Sequence, residues 1–368
     1  MEQTKNETMS KINNTILTGA NKLQETIKNT SEKILGPDNV VASNYALTMA
    51  IFIVFVVLMI LFFLSKSFRA SRTIDTIKMY HRYQTIQSFP YRKAEDIRLG
   101  NCYVASSYNP TLVGFQMYDY TSESVLRSIL RSGARYLEFS IFNSRYGKDA
   151  YPIVSNGFRV GEWKMTINAV SFEACCKVIA ENAFIHTGEE GRGSPNYNDP
   201  LFIGLNLKTN NNTYCLDLIA DIIIDYFRER LLDHKYSFQY TNLANARMGE
   251  LKQKVVIISS TGYEGSKLDE LVNGSWDKSN IRRIHYSDLE DTEFNINKMA
   301  KYNKENLTIV VPHNEGDFWT SNYNSLLAFK SGCQFVAMNY QRIDTSMDAY
   351  ITKFRYKGIT FKPRRLVK

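Results

Sequence analysis

Thr320-Ser321-Asn322-Tyr323-Asn324-Ser325, then Gly332-Cys333-Gln334-Phe335-Val336-Ala337-Met338-Asn339-Tyr340-Gln341, then Phe361-Lys362-Pro363: these stretches near the C-terminus carry the reading of the fold. Small, polar and aromatic residues surround a short apolar run, Phe335–Asn339, that reads as a strand, and a helical pattern over Met347–Phe354 follows it. The same alternation extends upstream. Candidate strands are Cys102–Ser106, Arg135–Phe142, Leu201–Leu207, Val255–Ser259 and Leu307–Val311; helical patterns cover Ser122–Ser132, Phe172–Phe184 and Leu216–Leu232. Strand–helix alternation from Leu99 onward argues for a parallel α/β fold. The length fits a (β/α)8 barrel, whose sites gather at the C-terminal ends of its strands. Pattern alone does not separate that barrel from an open doubly wound sheet. No glycine-rich phosphate loop follows the first strand, which weakens a nucleotide-binding sheet.

The chain has 368 residues, 44% hydrophobic and 22% charged, a globular composition with room for one large domain and extra segments. Five cysteines, Cys102, Cys175, Cys176, Cys215 and Cys333, are scattered without a CxxC pair or a nearby histidine. They read as small buried hydrophobes, and imply neither a disulfide framework nor a metal site. The high pI has no basic helix, finger or RNA-binding pattern behind it, so nucleic acid is not an expected partner.

Ala46–Leu64 is a run of nineteen residues without a charge or a proline. At 1.5 Å per residue a helix of that length spans about 28 Å, the thickness of a bilayer core. Forty-five residues precede it, too many for the n-region of a signal peptide. A single transmembrane helix is expected. Lys66, Arg69, Arg72, Lys78 and Arg82 follow it against the single acid Asp75, whereas residues 1–44 carry five lysines and five acids. The positive-inside rule then places the C-terminal bulk in the cytoplasm and the N-terminus outside, with the basic cluster against anionic head groups. Glycosylation sequons at Asn6, Asn13 and Asn29 lie on the outer side, but Asn211, Asn273 and Asn306 head sequons in the bulk. Residues 10–35 space Ile12, Ile16, Ala20, Leu23, Ile27 and Ile34 as one face of an amphipathic helix, suited to self-association or to lying on a membrane.

Two blocks of this sequence resemble the X and Y halves of the phosphoinositide-specific phospholipases C. The X-like block runs from Tyr103-Val104-Ala105-Ser106-Ser107-Tyr108-Asn109-Pro110 through Ser132-Gly133-Ala134-Arg135-Tyr136-Leu137-Glu138 and Pro200-Leu201-Phe202-Ile203-Gly204-Leu205 to Leu251–Ile258. The Y-like block holds Ser321-Asn322-Tyr323-Asn324, Gly332-Cys333-Gln334, Val336-Ala337, Asn339, Gln341, Asp344, Met347, Gly358 and Lys362-Pro363. The resemblance implies a TIM-like (β/α)8 barrel split into X and Y halves, preceded by the transmembrane helix. The segments are then 1–45 amphipathic, 46–64 transmembrane, 65–98 basic neck, 99–261 X-like half, 262–305 linker and 306–368 Y-like half.

The family's mechanism needs two histidines as base and acid and a calcium ion held by an asparagine and carboxylates. The resemblance places the first histidine at Tyr108 and the second at Asn156, and neither side chain titrates near neutral pH. The nearest histidines in sequence, His81 and His186, are too distant to replace them; His313 in the Y block is a remote candidate. Of the calcium ligands, Asn109 and Glu138 remain, while Ser140 and Asn206 stand where acids belong. One carboxylate in place of three argues against tight calcium binding. The family's phosphate-binding cations fall on Ile258, Ser260 and Asp317, which suits a smaller or neutral ligand better than a bisphosphorylated head group.

The expectation is therefore a membrane-anchored, catalytically inactive relative, facing lipid head groups or binding a protein, with no cofactor. The alternative is an active phosphatidylinositol phosphodiesterase with a rearranged site, for which calcium would be the cofactor and Tyr108 a substrate-orienting group.

Overall fold

The computed structural model describes residues 18, 21–22, 24–26, 28–29, 40–81, 85–114, 121–144, 149–160, 162–187, 193–291, 294–312 and 321–368. They divide into two units, Met1–Ser67 and Phe68–Lys368. In the first unit the helix Val40–His81 begins, and its span Leu47–Ser65 has a mean hydropathy of 3.2 with no part of it buried. The apolar positions expected to form the amphipathic stripe, Ile12 to Ile34, lie outside the described residues; those described between them are helical.

The second unit is built on eight parallel strands. In chain order they are β1 (Cys102–Tyr108), β2 (Tyr136–Asn143), β5 (Leu201–Lys208), β6 (Val255–Ser259), β7 (Gly274–Ser275), β8 (Ile281–His285), β9 (Leu307–Val311) and β10 (Phe335–Met338). Their order β7-β6-β5-β2-β1-β10-β9-β8 is a barrel closed except between β7 and β8. At that seam Gly274 leaves room for the Ile281 side chain, whose Cδ1 would have to move aside for a Cβ. A hairpin of β3 (Pro152–Val160) and β4 (Glu162–Ser171) continues from the end of β2, and β11 (Ile359–Phe361) pairs antiparallel with β1.

Strand alternation sorts the side chains into two cores. Val104, Tyr108, Tyr136, Phe202, Val256, Ile258, Ile281, Leu307, Ile309, Phe335 and Ala337 fill the barrel. Ala105, Leu137, Phe139, Ile203, Leu205, Ile257, Val310 and Val336 point outward into a second core with the surrounding helices. Burial on both faces is why these strands read as nearly continuous apolar runs. The C-terminal turns of the long helix belong to this outer core: Ile77 and Tyr80 are buried and the Thr73 hydroxyl donates to the Val113 carbonyl.

The segment 262–305, expected as a linker, contains the strands β7 and β8 and the helices Tyr286–Glu290 and Ile296–Tyr302. It is part of the barrel. Ile281-Arg282-Arg283-Ile284-His285 does not read as a strand in the sequence because two adjacent arginines interrupt its apolar pattern. The hairpin and β11 also fall outside the strands expected from sequence. The neck, expected over 65–98, is helical through His81; beyond it Gln87 bridges to Lys357.

Candidate active-site mouth

The C-terminal ends of β1, β2, β5, β6, β8 and β10 converge on one opening, where this fold places its chemistry. Tyr108 ends β1 and lies buried beside Glu138, its register partner on β2. Asn109 follows in the left-handed region, φ 42°, a conformation asparagine tolerates better than most residues. Its Nδ2 donates to Asn156 Oδ1 at 3.3 Å, and the Ser140 hydroxyl donates to its Oδ1 at 3.3 Å. Asn156 reaches this cluster from the irregularity in β3 between Ser155 and Gly157, where a shift in register re-aims the side chain. Asn206 is the β5 register partner of Ser140. Tyr108, Asn109, Glu138, Ser140, Asn156 and Asn206 thus gather at one end of the barrel.

Of the three positions the resemblance assigned to phosphate binding, Ile258 and Ser260 are described. Ile258 packs in the apolar interior with Tyr108 and Tyr136. Ser260 is tied to the backbone of β5: its Oγ accepts from Leu207 N at 2.9 Å and its own N–H donates to Leu205 O at 2.9 Å. Asp317 and His313 lie outside the described residues. His186 sits in a loop, its Nδ1 3.0 Å from the Thr187 carbonyl and its ring against Tyr197.

The decisive residue is one the sequence did not point to. Arg283, on β8, places Nη2 at 2.8 Å and Nε at 3.1 Å from Glu138 Oε1. Glu138 is fully buried and the Arg283 side chain is 11% exposed. The second carboxylate oxygen, Oε2, accepts the Tyr136 hydroxyl at 2.8 Å. That hydroxyl fits only because position 204 is glycine: a Cβ there would lie 2.5 Å from it. Burial, then the charge and hydrogen bond of Glu138, push the Tyr136 phenol well above its ordinary 10, so it stays a donor. Burial is the largest single influence and works to lower the Arg283 guanidinium, but the charge and hydrogen bond of Glu138, with Tyr108 and Tyr136, together outweigh it and the net shift is upward. The Trp276 ring centroid lies 5.5 Å from the guanidinium carbon.

This arrangement does not fit calcium. Both Glu138 oxygens are engaged by donors, the Asn109 carbonyl oxygen is engaged by Ser140, and Ser140 and Asn206 bring no charge. Among the described residues no group of three or more His, Cys, Asp or Glu could hold a metal ion. Calcium takes six to eight oxygens, several of them charged. One further polar residue reaches the opening: His285 lies two positions after Arg283 on β8, on the same inner face by strand alternation, and its Nδ1 is buried.

The X-domain model of phosphatidylinositol-specific phospholipase C matches residues 96–261, and the Y-domain model matches residues 251–364. The chain belongs to the phosphatidylinositol-specific phospholipase C family. The two matches meet without a gap, so in this phospholipase C relative β7 and β8 fall within the Y match. Among solved structures, PLC21 of S. officinalis and PLC21 of L. pealei each align at 20% identity with a TM-score of 0.58, over 74% of this chain. This chain spans 38% of the length of each, and at that identity the likeness is one of fold. No curated protein matches the chain in sequence.

Proposed function

We propose that this phospholipase C relative is a membrane-anchored barrel without hydrolytic activity, serving as a lipid-facing or protein-binding module. The observation that carries it is the ion pair between Glu138 and Arg283: the one carboxylate retained at the family's calcium position already has a cation. Tyr108 and Asn156 at the histidine positions add that no base or acid titrating near neutrality stands where the family needs one. The test is hydrolysis of phosphatidylinositol and its phosphorylated forms in mixed micelles by the full chain, from chelated to millimolar calcium. The expected result is no turnover above a heat-inactivated control. Calcium-dependent or calcium-independent turnover that survives purification overturns it. The rival reading, a rearranged but working phosphodiesterase, has His285 to stand on, and turnover abolished by His285→Ala would establish that reading.

Anchoring rests on the span Leu47–Ser65, long and apolar enough to cross a bilayer, with the basic residues that follow it setting the barrel in the cytoplasm. The barrel itself supplies a topology probe. Asn273 is buried and accepts from Ile257 N at 2.8 Å, and the Thr308 of the Asn306 sequon is buried, so the folded barrel leaves Asn211 as the sequon best placed to carry a glycan. Asn211 is exposed. In a glycosylating host, glycan is expected on sequons headed by Asn6, Asn13 or Asn29 and absent from Asn211. A glycosidase-sensitive mass shift removed by Asn211→Gln would place the barrel on the outer side instead.

A further inference from the structure

The opening of the barrel carries a fixed positive charge that is part of the chain. We infer that Arg283 is the resident cation of this mouth: its guanidinium holds the place at Glu138 that a divalent ion would need, and whatever the mouth binds, it binds without calcium.

The argument is one of charge and geometry. Glu138 Oε1 receives two N–H groups of the same guanidinium, at 2.8 and 3.1 Å, and Oε2 receives the Tyr136 hydroxyl at 2.8 Å. A calcium ion at this carboxylate would find both oxygens already holding donors, and could not bind it in the bidentate way without displacing them. It would also sit beside the guanidinium, leaving three positive charges against one carboxylate in a buried setting where such an imbalance is poorly screened. Displacing Arg283 is opposed on two sides. The Trp276 ring lies against it, and Ile281, the preceding inward residue of β8, is locked in the barrel core. Of the other oxygens at the family's metal positions, the Ser140 hydroxyl donates to Asn109 Oδ1, and Asn206 brings no charge. The pair spans 145 positions of sequence and joins β2 to β8 across the barrel, so it is a built feature of the closed fold and not a local accident.

This goes beyond the proposed loss of hydrolysis. A calcium-independent hydrolase would sink that reading and leave the resident cation standing, whereas a calcium-binding mouth without turnover would do the reverse.

The test uses terbium, a calcium substitute whose emission is sensitised by nearby Trp276, Tyr108 and Tyr136, on the full chain in detergent. Wild type and Glu138→Gln are expected to emit equally, because neither binds the ion in the mouth. Ser140→Asp/Asn206→Glu, which returns acids to the family's metal positions, is expected to add no emission while Arg283 is present; adding Arg283→Met to that pair is expected to gain severalfold emission, competed by calcium and absent once Glu138→Gln is added too. Saturable wild-type emission that Glu138→Gln removes overturns the inference, as does calcium-competed emission from the Ser140→Asp/Asn206→Glu variant that keeps Arg283. Should Arg283→Met fail to fold, the melting temperature of wild type decides: no shift on adding millimolar calcium supports the inference, and a shift that Glu138→Gln abolishes overturns it.

Discussion

Arg283→Met is expected to lower the stability of the barrel by about 3–5 kcal/mol, because it leaves a fully buried carboxylate with only the Tyr136 hydroxyl for company. Glu138→Gln should also destabilise, by less, since the Arg283 side chain keeps some access to water. The informative variant is the double. With Glu138→Gln and Arg283→Met together no charge is stranded, and most of the loss from Arg283→Met should be recovered. Denaturant unfolding followed by circular dichroism and tryptophan fluorescence measures all three. Losses that simply add in the double variant would show that the two side chains do not act on each other, and the account of the mouth would fail with them.

Much of the scaffold was legible in the sequence because parallel strands buried on both faces leave an unmistakable pattern. Val255–Ser259 and Leu307–Val311 fall where the apolar runs placed them, and Cys102–Tyr108 and Tyr136–Asn143 extend past the expected ends into polar residues of the mouth. β8 was hidden by the same physics in reverse. Its two arginines face opposite ways: Arg283 meets Glu138 inside, while Arg282 lies 4.2 Å from the centroid of the Tyr302 ring outside. Each is neutralised or stacked by a partner remote in sequence, so the local pattern shows only two charges in a row and suggests a solvated linker. Tyr108, Asn109, Glu138, Ser140, Asn156 and Asn206 were singled out by the resemblance to the family, and the strand ends bring them to one opening. The role of Glu138 could not be read in this way, because its counter-charge comes from the far half of the barrel. Ser260 shows the complementary limit, a site position by alignment that the structure uses to hold the backbone of β5.

The opposite end of the barrel is expected to make stability depend on pH through a single carboxyl. Asp199 precedes β5 and is buried; its Oδ1 accepts from Phe89 N at 2.7 Å and from the Tyr91 hydroxyl at 3.3 Å, clamping the segment that leads into the barrel. Phe89 in turn packs edge-on against Phe361 of β11 at 5.2 Å. Beside them Arg135, fully buried, donates to Ala183 O, Ser194 Oγ and Asn196 Oδ1. Burial pushes the Asp199 carboxyl up from 3.8 to about 6, and the charge of Arg135 recovers only part of that rise. A carboxyl whose affinity for the proton rises on folding adds most stability when protonated in both states. Its contribution is therefore fully present below about pH 4, falls as the pH rises towards 6, and is lost above it. Taken alone the fall is about 3 kcal/mol, at about 1.4 kcal/mol for each tenfold gain in proton affinity on folding. Other carboxyls move the opposite way, Glu250 and Glu264 being lowered, so the quantity to measure is the difference between wild type and Asp199→Asn, which keeps an oxygen to accept from Phe89 N. Relative to that variant, wild type should lose stability from pH 4 to pH 6 and run parallel to it above. A flat difference across that window would mean that Asp199 titrates as an ordinary surface carboxyl, and that the clamp on Phe89 and Tyr91 is open in solution.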